Sequence, residues 1–230
     1  MFAYDSSYFC FMVPAFLLVM IAQIYVSSAY SKWGRVAIRS GITGAQAAQR
    51  LISTGGLSDV RIERVAGKLT DHYDPREKVL RLSQGVADTP SVAAVAVAAH
   101  ELGHAMQDHE NYGPLRFRAA LVPMVSIGSW LGWIMILAGL LLGMTNLAWL
   151  GVLVFSGGAL FALATLPVEL NASSRAKQLL ADAGIVAGED ERGGVNSVLN
   201  AAAFTYVAGL ASAVMQLLYF ASMVSGRSRD

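Results

Sequence analysis

Three stretches of the chain carry no charged residue: 6–31, 119–168 and 193–226. A helix needs roughly 20 residues to cross about 30 Å of hydrocarbon, so the first and last stretches each suffice for one crossing and the middle one for two. The middle stretch has one short polar, glycine-bearing interruption, Gly143-Met144-Thr145-Asn146, where a reversal is expected. The pattern predicts four transmembrane helices, over 9–30, 120–143, 147–168 and 201–224. The hairpin of two helices returns the chain to the face it left, so the polar segments 31–118 and 169–200 lie on one side of the membrane.

The longer polar segment has its own periodicities. Thr43 precedes Gly44-Ala45-Gln46-Ala47-Ala48-Gln49-Arg50-Leu51-Ile52, a helical pattern with an N-cap, and Gly55-Gly56 stops it. Val60-Arg61-Ile62-Glu63 and Lys78-Val79-Leu80-Arg81-Leu82 alternate as short strands do. Between them Thr70-Asp71-His72-Tyr73-Asp74-Pro75 reads as a turn. Ser91 is the N-cap expected for a long helix running to about Asp108. The predicted fold is a mainly α membrane protein: four transmembrane helices plus a small α+β, zincin-like cytoplasmic unit.

Composition agrees with the membrane reading. Hydrophobic residues make up 55% of the 230, charged residues 14%, and the mean hydropathy is +0.49, where a soluble domain carries about 25% charged residues. The net charge of +1 gives no field to attract nucleic acid, and the single cysteine, Cys10, excludes an internal disulfide framework. Twelve of the 17 Lys and Arg lie between Lys32 and Arg118, and Arg175, Lys177 and Arg192 follow the third helix. Only Arg227 and Arg229 follow the fourth. The positive-inside rule therefore predicts a multi-pass cell-membrane protein with its N-terminus outside and both polar segments in the cytoplasm. A cleavable signal peptide ending near Ser27-Ser28-Ala29 would lack a basic n-region and would export the basic loop, so it is rejected. Gly139 to Gly143, and Gly157-Gly158 with Ala159, suit close helix approach within a chain or between chains of a homo- or hetero-oligomer.

The chemistry lies in His100-Glu101-Leu102-Gly103-His104, inside the long helix. Residues four apart share a helix face, so both imidazoles reach one ion. Glu101 is offset from them, where it meets a metal-bound water rather than the metal. Two neutral histidines suit one Zn2+ ion, and a catalytic zinc takes a third protein ligand and keeps a position open. The apolar run Val92 to Ala99 carries the motif to a partly buried place, where unpaired His and Glu are costly. Asp71, His72, Asp74, Asp108, His109, Glu110 and Glu169 are the candidate third ligands. His109 and Glu110 follow His104 too closely on one helix to close a tetrahedron easily. Glu169, the first charge after 50 uncharged residues, gives a His, His, Glu set with its third ligand on a separate helix.

Four segments together resemble the neutral zinc metallopeptidases of the YugP-like membrane family. They are Leu69-Thr70-Asp71-His72-Tyr73-Asp74-Pro75, Val97-Ala98-Ala99-His100-Glu101-Leu102-Gly103-His104-Ala105, Thr165-Leu166-Pro167-Val168-Glu169-Leu170-Asn171-Ala172-Ser173 and Asn200-Ala201-Ala202-Ala203-Phe204-Thr205-Tyr206-Val207-Ala208. The resemblance implies an integral-membrane zinc peptidase with His100, His104 and Glu169 as ligands and Glu101 as base. A more distant likeness is to membrane gluzincins, which carry an Asp four residues after the third-ligand Glu to brace a zinc histidine. Ser173 stands at that place, so the bracing is expected to fall to another residue.

The expected function is a membrane zinc endopeptidase acting on membrane-associated protein or peptide substrates. Tyr206 and Arg175 are candidate oxyanion stabilisers, and the Leu80 segment a candidate edge strand for an extended substrate. The alternative is a non-enzymatic membrane scaffold or chaperone with structural zinc. Closed structural sites favour thiolates, and Glu101 would be idle in one. A site-2-type protease would need an Asp in a membrane helix and a transporter an ionisable group there, and the predicted spans hold neither.

Overall fold

The computed structural model describes residues 6–227; Arg229 lies outside them. Eight helices and three strands follow in order: α1 Ser6–Gly34, α2 Gly44–Thr54, β1 Arg61–Val65, β2 His72–Asp74, β3 Val79–Ser83, α3 Gln84–Ala87, α4 Val92–His109, α5 Gly113–Leu141, α6 Thr145–Phe155, α7 Gly157–Asp182 and α8 Glu189–Arg227. Among the described residues, four helical stretches are long and apolar enough to cross a membrane: Ser7–Gly34, Gly113–Leu141, Thr145–Asp182 and Glu189–Gly226. They cover the four predicted spans, except that the second ends at Leu141. Much of 169–200 is not loop but the continuation of α7 and the start of α8, joined by a turn with Gly184 and Gly188 at positive φ. The chain divides into two compact units.

One unit comprises Met1–Gln23, Arg116–Pro167 and Thr205–Asp230. Its reversal lies where the sequence predicts it, with Gly143 at φ +68°. Helices α5 and α6 pack backbone to backbone. A Cβ on Gly132 would lie 2.7 Å from Phe155 N, one on Gly139 2.8 Å from Ala148 Cα, and one on Gly151 2.6 Å from Ile136 N. Small residues at such crossings are what hold helices together where lipid removes the hydrophobic drive. Gly139 belongs to the stripe expected from sequence. Gly157 meets nothing within 4 Å, so the second expected stripe is not a close contact there. Ile136, Leu140, Ala148, Val152, Phe220 and Val224 form the interior, while Phe16, Ile127, Trp130 and Leu153 are each two-thirds exposed or more (67%, 67%, 69% and 68%). That is the inverse of a soluble surface and suits lipid.

The other unit comprises Ile24–Leu115 and Val168–Phe204. Thr43 and Gln46 close a full capping box on α2, and Ser91 caps α4 by accepting from Ala94 N at 3.2 Å. Leu51, Leu80, Leu82, Leu102, Leu180 and Leu199 belong to one buried core. The Val92–Ala99 run is almost wholly buried within it, which explains an apolar run too short to span a bilayer.

The sheet corrects the two-strand expectation. The segment read as a turn holds β2, and the strand order is β1-β3-β2. Strand β3 pairs parallel with β1 (Ile62 opposite Leu80) and antiparallel with β2 (Tyr73 opposite Leu80). It is the central strand, and Leu80 is fully buried. Leu80 therefore has no free edge to offer a substrate, because both of its ladders are taken.

Candidate metal centre

The site lies within the second unit and is built by α4 and α7. Gly103, between the two motif histidines, lets these helices meet: a Cβ there would collide with the Ala172 carbonyl and lie 3.0 Å from its carbon. Ala172 is one turn beyond Glu169, so the same close approach lays Glu169 across His100 and His104. Its Oε2 stands 3.3 Å from His100 Nε2 and 3.4 Å from His104 Nε2. One ligand atom from each of the three lies within 4.8 Å of the others. Glu169 is 2% exposed, and a carboxylate so deeply buried needs cationic or metal company. Two imidazole nitrogens and a carboxylate oxygen are a donor set that suits zinc, so the residues fit the ion their spacing implies.

Glu101 stands on the same helix turn but is turned toward β2, where its Oε2 accepts from Tyr73 N at 3.1 Å. Burial pushes its carboxyl above the usual range, outweighing the two imidazoles that pull it down. A carboxylate so shifted is a better proton acceptor near neutral pH. For His104, burial opposes protonation, but Glu169 and Glu101 outweigh it and raise the imidazole.

Each histidine also has a partner behind it. His100 Nδ1 lies 3.2 Å from Ser173 Oγ, and His104 Nδ1 lies 3.0 Å from Gln107 Oε1. The expectation that another residue replaces Ser173 in bracing a histidine is thus corrected: the serine hydroxyl reaches the ring itself. Such outer partners fix which nitrogen of a histidine faces the metal.

Among the described residues, the other candidates for the third ligand lie outside this group. Asp71 accepts from Ser83 N and Oγ (2.7 and 3.0 Å). His72 Nδ1 contacts Thr70 O at 2.8 Å on an exposed strand residue. Asp74 pairs with Arg81 at 3.1 Å and accepts from Arg76 N. Asp108 accepts from Tyr73 Oη at 2.9 Å, and burial with that carboxylate drives the phenol well above its usual range. His109 is exposed at the end of α4. Glu110 binds Arg175 Nη2 at 2.7 Å, which holds its carboxyl below the usual range.

The oxyanion candidates fare differently. Arg175 also donates through Nε to Asn171 Oδ1 at 2.7 Å and lies over the Tyr112 ring. Its guanidinium is thus held by Glu110, Asn171 and the Tyr112 ring. Tyr206 belongs to the part of α8 in the other unit. Sequence reasoning missed Gln107 and Tyr73. The signal for Gln107 was an amide one turn after His104 on the same face; Tyr73 gave none, because a main-chain N–H contact leaves no mark on residue type.

A family model described as "Putative neutral zinc metallopeptidase" matches residues 8–225. The chain is 45% identical over 219 residues to "Putative membrane protease YugP" of Bacillus subtilis (strain 168), covering 95% of this chain and 97% of that protein. No solved structure matches it. With the match running through both units and through His100, His104 and Glu169 alike, the chain belongs to the family of neutral zinc metallopeptidases that this model describes.

Proposed function

We propose that the protein is a membrane-embedded, zinc-dependent endopeptidase that hydrolyses peptide bonds of membrane or membrane-proximal proteins. The convergence of His100, His104 and Glu169 beside a separately held Glu101 carries this reading. His100 and His104 bind through Nε2 and Glu169 through its carboxylate. When bound, zinc supplies a Lewis acid for the scissile carbonyl and the attacking water. Glu101 takes the water's proton and delivers it to the leaving amine nitrogen. Tyr73 N holds that carboxylate toward its task, and the buried surroundings keep its proton affinity high. Ser173 and Gln107 accept from the Nδ1–H groups, leaving Nε2 of each ring free for the metal. The basic residues of 31–118 and 169–200 favour placing this site on the cytoplasmic side, with the N-terminus outside.

The test compares membranes from cells carrying the native protein or Glu101→Gln. The variant is expected to keep its zinc by elemental analysis while losing about 100-fold or more of its hydrolysis. Uncut substrate proteins should then accumulate in its membranes. Identical protein fragments from both membranes, with zinc present in both, would remove Glu101 from the mechanism.

A further inference from the structure

Gln107 is a fully buried amide whose donors and acceptor are all engaged. Its Nε2 donates to Val168 O at 2.8 Å and to Asn171 Oδ1 at 2.9 Å. Turned over, the amide would aim its oxygen at two acceptors, so its orientation is settled by its neighbours. Oε1 must then accept, and His104 Nδ1 must donate. Asn171 Oδ1 is fixed as an acceptor in turn by Arg175 Nε, which can only donate. Val168 and Asn171 flank Glu169 on α7. One amide therefore ties a metal-binding ring on α4 to the helix that carries the third ligand. At its outer end the chain of bonds reaches the Arg175–Glu110 ion pair, whose side chains are 21% and 45% exposed.

We propose that Gln107, Asn171 and Arg175 are positioning residues that hold the tautomer and tilt of His104, coupling a solvent-facing ion pair to metal affinity. The proposal rests on the metal-centre reading above. It extends that reading in one respect: affinity is set not by three ligands alone but by a hydrogen-bonded line running from them to the surface. In a buried network each bond orients the next, and losing an inner member leaves a polar neighbour unpaired. The effect on zinc should therefore fall from Gln107 outward to Arg175.

The full-length protein in detergent micelles provides the test. Its zinc dissociation constant is measured against a chromogenic chelator, and the visible spectrum of the Co2+-loaded form reports ligand geometry. Gln107→Met is expected to weaken zinc binding about 10- to 100-fold and to shift the cobalt bands. Gln107→Glu keeps an oxygen for the His104 Nδ1–H but sets its other oxygen against the Val168 and Asn171 acceptors, so it should recover only part of that loss. Arg175→Met should weaken zinc by less than about 10-fold, with a smaller spectral shift in the same direction. A native dissociation constant and native cobalt spectrum in Gln107→Met would overturn the proposal. Should that variant not fold, native values in both Arg175→Met and Asn171→Leu would overturn it equally. His104→Ala separates the two levels of argument. Zinc lost there but kept in Gln107→Met removes only the positioning line, whereas zinc kept in His104→Ala removes the metal centre itself.

Discussion

The two units use glycine for the same physical purpose and to different ends. In the apolar unit Gly132, Gly139 and Gly151 let α5 and α6 touch backbone to backbone, and the product is a helix pair with large apolar side chains facing outward. In the site-bearing unit Gly103 does the same for α4 and α7, but the residues beside the contact are His100, His104 and Glu169. A missing Cβ yields adhesion in one place and a donor set in the other. What differs is the flanking chemistry. In the first unit close approach is the result; in the second it is the means by which a carboxylate from a distant part of the chain reaches two imidazoles.

The sharpest way to break this contrast is Glu169→Gln, which leaves the helix contact intact and removes only the charge. Zinc affinity should fall more than about 100-fold, beyond the cost of losing a supporting hydrogen-bond partner, while the thermal midpoint of the metal-free protein changes little. Unaltered zinc content would mean that proximity of this carboxylate to the rings is not ligation.

A matched pair of substitutions comes next. Gly103→Ala and Gly139→Ala each force a Cβ against backbone, and each should cost about 1–3 kcal/mol of stability. They should part in their effect on the metal: Gly103→Ala pushes α7 away from the histidines and lowers zinc occupancy, whereas Gly139→Ala leaves it native. Calorimetry gives the first quantity and elemental analysis the second. Equal zinc loss in both variants would erase the distinction between the two glycine contacts.

How much of this was legible beforehand follows the range of the interactions. The four spans were readable because lipid demands about 20 apolar residues in succession, and the caps at Thr43 and Ser91 because capping is decided within three or four residues. The motif pair was readable from helical spacing alone. Strand β2 was not: three residues amid Asp, His and Pro look like a turn, and only pairing with β3 makes them a strand. The central position of β3 was hidden for the same reason, since strand order is set by partners far apart in sequence. Gln107 and Ser173 acquire their roles only once α7 lies against α4. What escaped was non-local in each case.

The smallest effect tests the part of the site-bearing unit decided most locally. Thr43 accepts from Gln46 N at 3.3 Å, and Gln46 Oε1 accepts from Thr43 N at 2.9 Å. Removing the hydroxyl by Thr43→Ala leaves one donor of the first turn to water, because this end of α2 is exposed. The cost should be about 1 kcal/mol, read as a lower thermal midpoint. Zinc affinity should not change, since α2 supplies no ligand and none of the hydrogen bonds behind His100 or His104. A drop in affinity with this variant would show that the ligand geometry depends on the whole unit's stability rather than on the contact at Gly103, and the contrast between the two kinds of glycine contact would lose its basis.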